Sequence, residues 1–266
     1  MTELVVQRGG VHLHVEVHGD GAGVPLLLTH GYCASASMWR ANLERLAAGR
    51  RVVVWDLRGH GRTVTPATAD AYSHDLCVDD MAAVLDAVGI DRAVVGGLSL
   101  GGYMSLAFHR RHQGRVAGLV LADTGPGYRR TEHRARWNAF AERSAVSFEQ
   151  RGLDALPTGA EVGPGPHDPV GLALAARGLL AQHDADVIEW LPSIAVPTLV
   201  LVGEHDTLFL EPARYLAAHI AGARLAVLPG AGHAANIDAP QAFDHVVVEF
   251  LSEVDAVTDR HTTTER

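Results

Sequence analysis

Ala93-Val94-Val95-Gly96-Gly97-Leu98-Ser99-Leu100-Gly101-Gly102 begins as a compact apolar run with the length of a buried strand and passes through Ser99 into a helical pattern over 100–112. Gly97-Leu98-Ser99-Leu100-Gly101 thus sets a serine at a strand-to-helix turn with a glycine two residues to either side. A turn that sharp strains the backbone and crowds neighbouring chains, so positions 97 and 101 cannot carry a Cβ. The serine hydroxyl is left standing above the sheet, where a nucleophile belongs.

Similar compact runs lie at 25–29, 51–56, 116–122, 198–203 and 224–228, and 11–18 alternates apolar and polar residues like a half-buried strand. Helical patterns at 38–48, 74–88, 211–220 and 239–253 fall between or after them. Strand and helix in alternation predict an α/β fold with a mostly parallel sheet flanked by helices. The rhythm breaks over 124–192, where helical stretches at 131–150 and 170–181 surround the Gly/Pro-rich segment 157–169. The expected organisation is a core of 1–123 and 193–253, a helical cap inserted at 124–192, and a flexible polar tail at 254–266.

Composition bounds the function. The 266 residues are 47% hydrophobic and 20% charged, a globular mix, and the net charge of −9 argues against a nucleic-acid partner. Cys33 and Cys77 are the two cysteines, too few for a disulfide scaffold and in keeping with a reducing compartment. The first eight residues lack a basic segment followed by an apolar one, and the apolar runs fall far short of the roughly 20 residues that span a bilayer. A cytoplasmic protein with no membrane partner is expected.

A serine hydroxyl needs a base, and the base needs a third group to orient it. Sixteen histidines are available, so the neighbourhood must choose. His233 stands in Pro229-Gly230-Ala231-Gly232-His233, a small-residue loop just past the run ending at Leu228, and ligands bind at that edge of an open parallel sheet. Gly203-Glu204-His205-Asp206 follows another buried run, so Asp206 and Glu204 compete as the acid. Asp123, past the run 116–122, is a third candidate. Asp206 is preferred.

With these residues in place the chain resembles the α/β-hydrolase fold superfamily over roughly 10–253, in its serine esterase and enol-lactonase branch, which implies an eight-stranded-type sheet. Five landmarks carry the resemblance in family order: His30-Gly31, Asp56-Leu57-Arg58-Gly59-His60-Gly61, the Ser99 motif, Gly203-Glu204-His205-Asp206 and Gly232-His233. It implies a Ser99, Asp206, His233 triad and an oxyanion hole formed by the backbone N–H groups of Tyr32 and Leu100. His30, Asp56 and Arg58 are expected to organise loops. The implied activity is cofactor-free hydrolysis of a small or medium carboxylic ester or lactone, without a metal. Serine at 99 disfavours the aspartate-nucleophile branches. Carbon–carbon hydrolysis and cofactor-free perhydrolysis on the same triad are alternatives, the former weakened because Ala234-Ala235-Asn236-Ile237 follows His233. A ligand-binding receptor on this fold is the rival from another class.

Met38, Tyr103, Trp137, Phe140 and Leu179 are candidate pocket residues. His12, His14 and His18, i and i+2 neighbours on a strand, read as a solvated face rather than a metal site, and Cys33 reads as a packed thiol beside the oxyanion loop. The arginines from 129 to 151 read chiefly as a solvated helix face. The expected partner is a small-molecule substrate, and a homo-oligomer is compatible with this reading.

Overall fold

Alternation along the strands sorts their side chains into two layers. Leu27, Val53, Val95, Leu119, Leu121 and Val200 face one layer, while Leu26, Leu28, Val52, Val54, Val94 and Val120 face the other. The computed structural model, which describes residues 1–163 and 165–264 with side chains to 258, arranges these residues in one eight-stranded sheet. Its strands are β1 (Thr2–Arg8), β2 (Val11–His18), β3 (Gly23–Thr29), β4 (Arg50–Trp55), β5 (Ala93–Leu98), β6 (Val116–Ala122), β7 (Thr198–Gly203) and β8 (Arg224–Leu228). They stand in the order β1-β2-β4-β3-β5-β6-β7-β8, with β2 antiparallel to both its neighbours, β1 and β4, and every other pairing parallel. β1 is unannounced by periodicity because only Val6 in it is buried.

The helices cover both faces. α2 (His74–Ala87), α3 (Leu100–Arg111) and α7 (Leu210–His219) bury Met81, Phe108 and Leu216 on one side; α1 (Arg40–Leu46) and α9 (Pro240–Thr264) bury Leu46, Phe243 and Leu251 on the other. The chain order reverses where β3 lies between β4 and β5, and such a reversal opens a crevice at the carboxyl ends of the strands. The loop after β3 and the Ser99 turn after β5 both open there.

Between β6 and β7 come α4 (Thr131–Arg151), α5 (Pro169–Ala175) leading into a π-helical turn (Ala176–Leu180), and α6 (Asp186–Trp190). Ala141, Ala145 and Phe148 recur on one face of α4 and pack on the Leu172–Ala181 segment, while Asp168 caps α5 through Val170 N–H at 3.0 Å. A short helix, α8 (Ala235–Asp238), follows the His233 loop. The polar tail expected from 254 is instead the end of α9 as far as Thr264: Val254 continues the buried stripe of Val247 and Leu251, and Asp255 accepts Val24 N–H at 2.8 Å and pairs with Arg50 at 2.9 Å. Residues 265–266 of that tail lie outside the described part. Among the described residues no helix is long and apolar enough to cross a membrane.

One ion pair braces the sheet beneath the crevice. Arg58, on the loop after β4, grips Asp80 of α2 through Nε and Nη2, the latter at 2.8 Å, and gives Nη1 to Ala71 O at 2.7 Å. The Asp80 side chain is fully buried and that of Arg58 is 3% exposed. Asp80→Ala leaves a guanidinium buried with little compensation, and is expected to cost about 3–5 kcal/mol of stability. Calorimetry should record a fall of roughly 6–20 °C in Tm; a loss below about 1 kcal/mol in a denaturant titration would place the pair among bridges that contribute little.

Candidate active site

Ser99 joins β5 to α3 at φ 55° and ψ −115°, a conformation that costs a non-glycine residue about 1–3 kcal/mol. Three hydrogen bonds hold it: Ser99 N–H to Ala122 O at 2.9 Å, Tyr103 N–H to Ser99 O at 3.1 Å, and Thr124 Oγ1–H to Ser99 O at 2.6 Å. The flanking glycines are explained by contact. A Cβ on Gly97 would stand 2.4 Å from Thr29 O, and one on Gly101 would stand 2.1 Å from the same atom. The motif therefore lets α3 start against the end of β3 with the serine turned outward.

The loops after β7 and β8 bring an acid to an imidazole. His233 Nδ1 and Asp206 Oδ2 are 2.7 Å apart, and Asp206, 5% exposed, also accepts Phe209 N–H at 3.3 Å through Oδ1. The Phe209 ring stacks on His233 with centroids 5.1 Å apart. Glu204, the competing acid, is exposed and accepts Gly230 N–H at 2.9 Å, so it fixes the His233 loop from outside. Asp123 is fully buried and accepts Gly203 N–H at 2.8 Å, while its other oxygen has no partner within the described protein. Burial pushes the Asp123 carboxyl up to about 8. For His233, burial works against the charged ring, but the hydrogen bond and the charge of Asp206 outweigh it and raise its pKa above 6.5.

The loop after β3 lies against the serine: a Cβ on Gly31 would be 3.5 Å from Ser99 Cβ. His30 fixes this loop, with Nδ1–H donating to Gly31 O at 2.7 Å and Nε2 accepting Leu57 N–H at 2.9 Å. Burial lowers its pKa, in keeping with a neutral ring. Asp56 does comparable work by accepting Ala36 N–H at 2.6 Å and Arg62 N–H at 2.8 Å. Leu100 begins α3, where a backbone N–H has no place in the helical ladder, and the Tyr32 N–H has no backbone partner among the described residues. The Tyr32 hydroxyl meanwhile donates to Leu172 O in the insertion at 2.9 Å, a tie that sequence reading did not show.

Ser99 opens on a narrow cavity of about 50 Å³ walled by Leu100, Tyr103, Trp137, Leu180, Phe209 and the loop 124–128. Tyr103 and Trp137 were expected there, but three pocket candidates lie elsewhere. Met38 is buried against α1 and α9, because its carbonyl faces Asn236 Nδ2 at 3.0 Å and its side chain fills that layer. Leu179 is buried in the opposite core layer, one residue out of phase with Leu180 in the π-helical turn. Phe140 is 45% exposed and lines an outer recess with Trp137 and Leu208. Phe209 and Gln182 are the wall residues that periodicity overlooks: Phe209 announces itself only by following Asp206 at the start of a helix, and Gln182 by no pattern.

One histidine of β2 departs from expectation, while His12 is exposed as expected. His14 is buried, with Nδ1 3.0 Å from Asp56 Oδ2, and this carboxylate raises its pKa. It belongs to the loop framework rather than to a solvated face, because the loop after β4 folds back over β2. Cys33, at φ 64°, is buried beside Tyr32, and burial pushes its thiol up to about 12, so it is an inert packing group.

A family model described as alpha/beta hydrolase fold matches residues 24–152. The chain is 33% identical over 265 residues to the 2-hydroxymuconate semialdehyde hydrolase of Pseudomonas sp. (strain CF600), with 92% of each chain covered. Among solved structures it is similar to a thermophilic esterase from Thermogutta terrifontis, at 28% identity and a TM-score of 0.78 over 96% of this chain and all of that one. It is also similar to the enol-lactonase from Burkholderia xenovorans LB400, at 27% identity and a TM-score of 0.74 over 92% of this chain and 98% of that one.

Proposed function

The chain belongs to the alpha/beta hydrolase fold family, and from that membership we propose that it is a serine hydrolase that cleaves a small or medium carboxylic ester or lactone through an acyl-enzyme. The observation that carries the reading is the 2.7 Å contact of His233 with buried Asp206, at the same sheet edge as a strained Ser99 facing an apolar cavity. Ser99 Oγ attacks the carbonyl carbon and His233 Nε2 takes its proton. Asp206 holds the proton of Nδ1 and so keeps Nε2 free to accept. The N–H groups of Tyr32 and Leu100 receive the oxyanion, each worth about 2.7–4 kcal/mol in this role. His233 then protonates the leaving alcohol and activates the water that releases the acid. The insertion serves as a cap that keeps bulk water from the acyl-enzyme, tied down by the Tyr32 hydroxyl.

Hydrolysis at carbon is the second reading, favoured by the 33%-identical relative, whose named semialdehyde substrate contains no ester. Both readings use Ser99 as nucleophile, so one experiment tests their common ground. A fluorophosphonate should add once per chain, at Ser99, by intact mass and peptide mapping, and p-nitrophenyl acetate and butyrate, γ-butyrolactone and 2-hydroxymuconate semialdehyde should be turned over unequally. A folded protein that takes no adduct and turns over none of these would be a ligand binder on the same fold.

A further inference from the structure

Gln182 is the polar exception in the cavity wall. It is 8% exposed, lines the same cavity as Ser99, and its side-chain amide makes no hydrogen bond within the described protein, with Oε1 wholly buried. The residue is nevertheless held in place. Its backbone N–H donates to Asn138 Oδ1 at 2.7 Å and its carbonyl accepts from Asn138 Nδ2 at 2.8 Å, so one asparagine of α4 clamps both main-chain groups. Beside it in the wall, Gly127 at φ 84° makes room for the amide, since a Cβ there would come 2.8 Å from Oε1. Main-chain anchoring leaves the side chain no structural bond of its own.

A buried amide without a partner is unfavourable, and native proteins supply nearly all such groups with one. The polar groups of the remaining walls do not meet it: Trp137 Nε1–H donates to Leu180 O, Thr124 Oγ1–H to Ser99 O, and among the described residues neither the Tyr103 nor the Tyr128 hydroxyl bonds the amide. We infer that Gln182 determines specificity by binding the substrate, and that the substrate is a short ester or lactone carrying a hydroxyl or carboxamide near the scissile carbonyl. A hydroxyl or a primary amide both donates and accepts, so it satisfies the Gln182 amide whichever of its ends is turned to the cavity. The cavity is narrow around Ser99, which places that polar group on a short chain. This inference rests on the serine-hydrolase reading and adds the substrate class to it. Discrimination of this kind comes from leaving a buried polar group unpaired when the wrong substrate binds.

The test compares kcat/KM for matched esters, p-nitrophenyl butanoate against 3-hydroxybutanoate and ethyl acetate against 2-hydroxyethyl acetate, in the wild type, Gln182→Leu and Gln182→Met. In at least one pair the wild type should favour the hydroxylated member tenfold or more. Both variants should abolish or reverse that preference, chiefly through KM, while still taking the fluorophosphonate adduct at Ser99. Both should also keep or raise Tm, because an unpaired buried amide has been removed, whereas a structural glutamine would lower it. Preferences unchanged within about twofold in both pairs, with labelling intact, would show that a water fills the site and would overturn the inference. Loss of labelling in the wild type itself would instead refute the hydrolase reading.

Discussion

Ser99→Ala is expected to lower kcat for p-nitrophenyl butyrate by about 10⁶, the scale on which removing a serine nucleophile acts, and to abolish the fluorophosphonate adduct while the circular dichroism spectrum is unchanged. Little turnover should survive, because binding and backbone N–H donors alone retain only a small part of the acceleration. The stability of the variants carries independent information. Ser99 holds φ 55° and ψ −115°, where any Cβ is strained, so alanine keeps the cost and glycine relieves about 1–3 kcal/mol of it. Glycine gives back about 0.5–1 kcal/mol through the entropy of the unfolded chain. Ser99→Gly should therefore be as inactive as Ser99→Ala yet melt higher, by roughly 2–5 °C at the midpoints of these costs. Turnover by the alanine variant within tenfold of wild type would remove Ser99 from the nucleophile's role; equal melting of the two would show that the turn stores no strain.

Residues fully surrounded by apolar neighbours were the readable ones. β5, β6 and β7 bury every side chain, so their composition marks both ends, and the same runs place Ser99, Asp206 and the strand before His233 at one sheet edge. β1 escaped because an edge strand needs apolar residues on part of one face only, and the end of α9 escaped because the described side chains past Val254, to 258, are exposed or half-buried. The cavity was the least legible part. Leu179 and Leu180 are adjacent and equally apolar, and only the π-helical turn settles which of them faces Ser99. Gln182 could not be singled out at all, since its place depends on a clamp by Asn138, 44 positions away.

Asp206→Asn should separate the roles of the two buried acids. His233 Nδ1–H meets a carboxylate oxygen at 2.7 Å, and a carboxylate can only accept, which leaves Nε2 unprotonated and able to take the serine proton. An asparagine can turn its NH₂ to the ring and hold the opposite tautomer, so kcat should fall by about 10⁴ with Tm nearly unchanged. The pH dependence should move as well. In the wild type the base is active when neutral and its pKa is raised, so kcat/KM should rise with pH through a midpoint above 6.5. Without the Asp206 charge, burial of His233 is less opposed, and the midpoint should shift to lower pH. Asp123 sets how far. Its carboxyl, pushed up to about 8 first by burial and further by the charge of Asp206, is largely protonated at neutral pH in the wild type. Neutralising Asp206 eases that second pressure, and Asp123 can then ionise and partly support the imidazolium. Asp123→Asn alone should change kcat by about threefold at most, whereas in the Asp206→Asn background it should cost roughly tenfold, which leaves about 0.7 kcal/mol of coupling between the two sites. If Asp206→Asn keeps more than a tenth of wild-type kcat while Asp123→Asn does not, the acid of the triad is Asp123, and Asp206 serves to orient the loop that carries Phe209.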